Sequence, residues 1–386
     1  MLKKKLIICV FFGFVTYLIF MLFLEPVTKS WKDVNQIDNL HLQYRNLNFS
    51  KDSGDVLSFV HIQKTGGTTM EKHLIFNIKD SNCVCESTKK PSCMCYRKEK
   101  NEIWLICRYI QPKWPCGLHP DLATMKKCAP NFMNSVYGSR PRRFLYATLL
   151  RDPIHRFISE FRHIQRGASW DSAASLCQGK NLASQVTSCF KGSLWLNLTI
   201  EKFLSCSQNL GFNRQTWMLS NISEVSCNPA EILYNENLNN KLLSIAKENL
   251  VSMAYFGILE YPTESQFVFE KTFHVEFKEP FWNWNTSYAM EYLKYFNISL
   301  KIQEKINFVN NLDIKLYNFA KQILFQRYSY FVAKYGMPAY KNSFVNESFQ
   351  FNLVKILKMK KNLPKSKSKE EQLRIKKARA ELGIIS

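Results

Sequence analysis

Apolar positions along the 386 residues fall into three arrangements. The first is an unbroken run. Leu6 to Leu24 is nineteen residues without a charge, with Lys3, Lys4 and Lys5 before it and Glu25-Pro26 after it. At about 1.5 Å per helical residue this run matches the ~30 Å hydrocarbon core of a bilayer. The second arrangement is the strand-length run. Val56, Leu57, Phe59, Val60 and Ile62 form one such run, Phe144 to Leu150 another and Met253 to Leu259 a third. The third is helical spacing, over Thr69 to Asn77, Pro153 to Arg166, Asn239 to Leu250, Thr263 to Phe273 and Ile302 to Tyr335. The last of these is long enough for one or two helices. The order reads as α/β.

The lysines ahead of the long run orient it. By the positive-inside rule, residues 1–5 stay cytosolic, residues 6–24 form a transmembrane signal-anchor and the bulk of the chain lies across the membrane. A cleaved signal peptide competes with this reading, but its apolar core is shorter and is followed by a small-x-small site, which this chain lacks. Residues 25–54 are polar and aperiodic, a stem. Residues 55–335 form the lumenal domain and residues 336–386 a basic tail, with eleven Lys or Arg against two Glu between Lys355 and Arg379. Two features agree with a lumenal setting. Eleven of the twelve cysteines lie beyond the anchor, which suits an oxidising compartment. Sequons start at Asn48, Asn197, Asn221, Asn285, Asn297 and Asn346. The formal net charge of +22 favours a polyanionic partner, and a lumenal setting argues against nucleic acid.

The candidate chemistry begins at the first strand. Val56-Leu-Ser-Phe-Val-His-Ile-Gln-Lys-Thr-Gly-Gly-Thr-Thr69 runs from an apolar strand into a glycine turn and then a helix. Two readings fit: a strand–turn–helix corner with a surface lysine, or an anion cradle in which backbone N–H groups and Lys64 receive a phosphate or sulfate. It is not the nucleotide-hydrolase loop, whose lysine follows the second glycine. At the end of the second apolar run stands Arg151-Asp-Pro153, where an open α/β sheet binds its ligands. Arg151 can hold a phosphate bidentately or pair with a carboxylate near the helix end. Residues 80–130 carry Cys83-x-Cys85, Cys93-x-Cys95, Cys107, Cys116 and Cys128. These suit disulfides or, less readily in such a compartment, a zinc site. Cys177, Cys189, Cys206 and Cys227 permit two more bridges, and an odd total leaves one cysteine over. His119, beside Cys116, is either a general base or a histidine of a surface turn.

Two motifs together point further. His61-Ile-Gln-Lys-Thr-Gly-Gly-Thr-Thr69 and Leu149-Leu-Arg-Asp-Pro-Ile-His-Arg-Phe-Ile-Ser159 resemble the two phosphate-binding signatures of sulfotransferases. The longer run to Trp170, the C-x-C pairs, Cys116-Gly-Leu-His119 and Asn213-Arg-Gln resemble the heparan sulfate 6-O-sulfotransferases. The likeness spans about Asp55 to Tyr330 and also covers the anchor-and-stem layout. It implies a P-loop-like α/β fold with a central parallel sheet flanked by helices, preceded by one transmembrane helix. It also implies a type II protein of the Golgi membrane and the donor 3′-phosphoadenosine 5′-phosphosulfate. Carried over by motif, His61, Ile62, Gln63, Lys64, Thr65, Gly66, Gly67, Thr68 and Thr69 hold the 5′-phosphosulfate, and Arg151 with Ser159 the 3′-phosphate. Trp284, Asn285, Thr286 and Ser287 match a further donor-binding stretch, although the chain has Tyr288 where the family commonly has arginine. His119 matches the family's base. Lys89, Lys90, Arg108, Trp114, His163 and Trp170 match glycan-binding positions.

The reaction so implied is in-line displacement at sulfur by a glucosamine 6-hydroxyl of heparan sulfate, with His119 as base and Lys64 at the departing bridging oxygen. This chemistry calls for no metal. Transfer to another position, such as a uronic acid 2-hydroxyl, and a non-catalytic heparin-binding protein tethered to the membrane are the alternatives.

Overall fold

The computed structural model describes residues 47–86, 92–98, 100–108, 114–168, 176–178, 180–182, 189, 197–281 and 299–339. The anchor at 6–24, Lys89, Lys90, Trp170, the stretch 284–287 and nearly all of the basic tail lie outside them. Among the described residues no helix is long and apolar enough to cross a membrane.

Strand β1 (Asp55–Val60) is buried along its whole length, as a strand covered on both faces must be. It leads into helix α1 (Gly67–Lys72), which continues as a π-turn over His73–Asn77. The spacing predicts a single helix from Thr69 to Asn77. The α-helix in fact starts two residues earlier, and its last turn is wider because Ile78 N–H donates back to His73 O at 3.2 Å and Asn77 Nδ2 donates to His73 Nδ1 at 2.9 Å. The hairpin β2 (Cys83–Glu86) and β3 (Ser92–Cys95) follows, then β4 (Leu105–Ile106). Helix α2 (Leu122–Tyr137) was not legible from the pattern, because Pro130 interrupts it; Asp121 caps it by accepting from Thr124 N–H at 2.7 Å. Strand β5 (Arg143–Leu150) and helix α3 (Pro153–Gln165) follow as expected, with Pro153 in the first turn and Asp152 as cap.

After α3, where the sequence of residues 167–230 reads as loop-rich, come a small ladder, β6 (Leu176–Cys177) with β7 (Lys180–Asn181), and helices α4 (Ile200–Leu204), α5 (Arg214–Leu219) and α6 (Pro229–Tyr234). Helix α7 (Glu236–Ser252) precedes β8 (Tyr255–Ile258) and α8 (Pro262–Phe273). The long helical pattern divides at Asn310 into α9 (Leu300–Val309) and α10 (Asn311–Tyr335).

The central sheet is four parallel strands in the order β4-β1-β5-β8. The chain steps from β1 to one side, then crosses back to the other, so the order reverses at β1/β5. Ligands of open α/β sheets sit at that reversal, beyond the carboxyl ends of the strands. Helix α8 packs on β8 and α10. Ser265 pins it by accepting from Ile258 N–H at 2.9 Å and donating to Ile258 O at 3.1 Å. A second apolar cluster joins Phe157 and Phe161 of α3 to Phe203, Phe212, Ile302 and Ile306. Each fully buried phenylalanine contributes about 1.5–3 kcal/mol by its removal from water.

All ten half-cystines are bonded to one another, so the C-x-C pairs form disulfides and not a metal site. Cys83–Cys95 and Cys85–Cys93 rung the β2–β3 ladder, and Cys116–Cys128 ties the loop after β4 to α2. Cys177–Cys227 and Cys189–Cys206 are the two bridges allowed for in the loop-rich stretch. Cys107 is buried and belongs to none of these bridges.

At the amino end of the sheet charges close on one another. Arg143 donates from Nε and Nη2 to the carboxylate of Asp55, its register partner, at 2.8 and 2.7 Å. Glu102 receives Arg97, Arg140 and Arg142 at 3.1, 2.6 and 3.2 Å.

Candidate active site

The opposite end of the sheet holds a cleft of about 330 Å³ lined by His61, Gln63, Lys64, Gly66, Gly67, Thr68, Thr69, Arg108, His119, Arg151, Ser159, His163 and Leu259. It lies at the β1/β5 reversal. Five separate sequence segments therefore meet: the loop after β1, the end of β4, the Cys116 loop, β5 with its following helix, and Leu259 at the end of β8.

The loop after β1 needs its unusual residues. Gly66 has φ 89°, and a Cβ there would approach Leu259 Cδ1 to 2.8 Å. A Cβ on Gly67 would meet the His61 ring at 2.8 Å. Lys64 itself sits at φ 66°, a conformation uncommon outside glycine and found where function holds it. Ile62 and Thr65 are fully buried beneath the loop, where Thr65 Oγ1 donates to Ile62 O at 3.0 Å; they support the lining and do not form it.

Arg151 reaches across from β5, and its Nη1 donates to Lys64 O at 3.1 Å. Its backbone is clamped by Gln215, whose Oε1 accepts from Arg151 N–H and whose Nε2 donates to Arg151 O, both at 2.9 Å. Gln215 is in turn fixed by reciprocal capping of two helices. Asp313 accepts from Gln215 N–H at 3.1 Å and from Thr216 N–H at 2.7 Å, while Asn213 Oδ1 accepts from Leu312 and Asp313 N–H at 2.9 and 3.2 Å. Arg214 of the same segment is buried. Its Nε donates to Gln63 Oε1 at 2.9 Å, and its Nη2 has no hydrogen-bond partner among the described residues.

His119 is held with one nitrogen committed. Its Nδ1–H donates to His61 O at 3.1 Å; a carbonyl can only accept, so Nε2 keeps its lone pair. Burial, the neighbouring His61 and the cations Arg108 and Arg214 push its pKa well below the usual histidine value, against the opposing bond to His61 O. The imidazole is therefore neutral at physiological pH. Burial, then Arg166, Arg151 and Arg156, lower Lys64, with Glu160 opposing. Arg151 is lowered by burial, and Arg214 is brought to about 10 by the same cause. His163, on the rim, is also lowered by burial and by Lys64. The lining includes no carboxylate among the described residues. Buried cations without carboxylates are the complement of a multiply charged anion.

Most sequence-predicted residues thus converge. Trp114 is placed elsewhere: its ring packs edge-on to Phe132 at 5.1 Å and its Nε1 donates to Gly117 O at 2.8 Å. Glu71 and Leu259 were not foreseen, and Gln215 was given no role. Asn213-Arg-Gln stood out only by its likeness, although an arginine and a glutamine opening a wholly buried helical turn are themselves a signal.

Comparison with known proteins agrees with this geometry. Residues 47–320 match the model of the Sulfotransferase family. Heparan-sulfate 6-O-sulfotransferase 2 of Gallus gallus is 39% identical over 291 residues, covering 74% of this chain and 71% of that protein. Heparan-sulfate 6-O-sulfotransferase 1-B of Danio rerio is 37% identical over 290 residues, 74% of this chain and 70% of that one. Heparan-sulfate 6-O-sulfotransferase 1 of Homo sapiens is 38% identical over 295 residues, 74% and 69%.

Proposed function

The chain belongs to the sulfotransferase family and is similar to its heparan-sulfate 6-O members, and we propose that it transfers a sulfuryl group to the 6-hydroxyl of glucosamine in heparan sulfate. The donor is 3′-phosphoadenosine 5′-phosphosulfate, a substrate whose charges the cleft complements. The observation that carries the reading is the convergence of Lys64, Arg151 and His119 on one cleft whose lining, among the described residues, holds no carboxylate.

In this reading the loop from Lys64 to Thr69 receives the 5′-phosphosulfate, while Arg151 and Ser159 receive the 3′-phosphate. The acceptor oxygen attacks sulfur, and its proton passes to Nε2 of His119. The bond from sulfur to the bridging phosphate oxygen breaks, and adenosine 3′,5′-bisphosphate leaves with the electron pair. A primary alcohol is a weak nucleophile, and general-base help contributes about 10²–10⁴-fold. Lys64 stabilises the charge growing on the departing oxygen. Arg108 and His163 of the cleft lining, together with Lys89, Lys90 and Trp170, bind the sulfated or carboxylated acceptor chain in this reading. Residues 284–287 complete the donor site.

The same reading includes a signal-anchor at residues 6–24 and a catalytic domain in the Golgi lumen. The five disulfides support an oxidising compartment. The test is transfer of labelled sulfate from the donor to desulfated heparan, followed by disaccharide analysis. Label at glucosamine C6 is expected; label on the uronate, or none, contradicts the reading.

A further inference from the structure

Behind the cleft lies a buried carboxylate for which the reaction above has no use. Glu71, on α1, is fully buried. Its Oε2 accepts from His61 Nδ1–H at 2.8 Å, and its Oε1 accepts from the backbone N–H of Arg108 at 2.8 Å. An ionised carboxylate offers only lone pairs, so His61 carries hydrogen on Nδ1. The His61 ring lies against Gly67, close enough to exclude a Cβ there. It also stands edge-on to the His119 ring, with centroids 4.7 Å apart. The His61 carbonyl is the acceptor that fixes the tautomer of His119. Arg108, held by the other oxygen of Glu71, donates from Nη1 to Thr68 Oγ1 at 2.8 Å. One carboxylate therefore joins the glycine loop, the end of β4 and the residue that orients the base.

We propose that Glu71 is a positioning residue for sulfuryl transfer: by fixing the tautomer and plane of His61 it holds His119 and the glycine loop in their working register. This rests on the sulfotransferase reading above. Glu71 touches neither substrate and acts through His61, as outer-shell carboxylates act through the histidines they orient.

The variant Glu71→Gln tests this with little change of shape. Arg108 N–H requires the amide oxygen to face it, so the amide N–H₂ turns to His61. His61 Nδ1 must then accept, and its hydrogen moves to Nε2. Nitrogen NMR of ¹⁵N-histidine-labelled protein reads the tautomer directly. Nδ1–H is expected in the parent and Nε2–H in the variant; one tautomer in both overturns the proposal. In the transfer assay kcat should fall by about tenfold, the scale for losing an outer-shell orienting partner. Affinity for adenosine 3′,5′-bisphosphate, whose 3′-phosphate is assigned to Arg151 and Ser159, should fall by less than kcat does. Because Glu71 acts through His61, the double variant Glu71→Gln/His61→Asn should be no slower than His61→Asn alone, and multiplying losses would overturn the proposal. Should Glu71→Gln fail to fold, His61→Asn carries the test, since its amide can still donate to Glu71: a lowered kcat is expected and an unchanged one overturns. A parent enzyme that moves no sulfate refutes the functional reading, while the tautomer measurement still decides the role of Glu71.

Discussion

The two ends of the sheet place cations in opposite company. At the amino end, Arg143 meets Asp55, and Arg97, Arg140 and Arg142 meet Glu102. There the carboxylates are brought down, and of their partners burial brings down Arg97 as well. Against the upward push of burial, Arg140, Arg142 and Arg97 bring Glu102 from the ordinary 4.5 to about 2, and Arg143 lowers Asp55 in the same way. At the carboxyl end the cations are the groups brought down, by burial first, at Lys64, Arg151 and Arg214. The same residue types thus serve two ends. Charges matched within the chain stabilise the fold, and cations gathered without carboxylates in the lining keep their binding capacity for an anion from outside.

Substitutions can break this contrast. The largest effect is expected from His119→Ala: turnover should fall by about 10²–10⁴-fold with little change in affinity for adenosine 3′,5′-bisphosphate, as single-turnover kinetics and calorimetry can check. Lys64→Ala should lower kcat by about 10²–10³-fold, the scale for losing one donor to developing charge. Arg151→Ala should weaken bisphosphate binding by about 1.5–3 kcal/mol with an unchanged melting temperature; unaltered affinity would refute its 3′-phosphate role. Glu102→Gln should do the reverse, costing about 1–3 kcal/mol of stability in a urea titration while leaving KM and kcat alone.

The smallest effects sharpen the contrast through pH. Glu102 is depressed in the folded state, so its stabilising share is complete above 4.5 and is lost as pH falls toward about 2. The parent's urea midpoint should decline over that window, and the Glu102→Gln variant should lack this component. At the other end His119 stays neutral below its ordinary 6.5. The acid limb of kcat/KM, which reports the free enzyme, should accordingly lie below that value.

Local patterns were legible because local physics sets them. The strands at Val56 and Phe144, the helix opening at Pro153 and the glycine turn after Lys64 each follow from neighbouring residues, and the likeness of Cys116-Gly-Leu-His119 to the family draws attention to His119, which lines the cleft. The residues that hold the site together are long-range. Gln215 clamps Arg151 from 64 positions away, and Asp313 caps the turn at Thr216 from 97. Glu71 is close in sequence, yet its meaning depends on β4 bringing Arg108 beside it. A proline inside α2 and a buried Asn310 between α9 and α10 altered helices whose apolar spacing alone could not register them.

In the proposed reading the carboxyl-end cleft carries out 6-O-sulfuryl transfer with His119 as its base. The most direct test pairs the parent with His119→Ala in labelled-sulfate transfer to desulfated heparan, read by disaccharide analysis. Label is expected at glucosamine C6 in the parent and at least about a hundredfold less in the variant, the lower bound for general-base catalysis. Label on the uronate in the parent, or equal C6 label in both proteins, would contradict it.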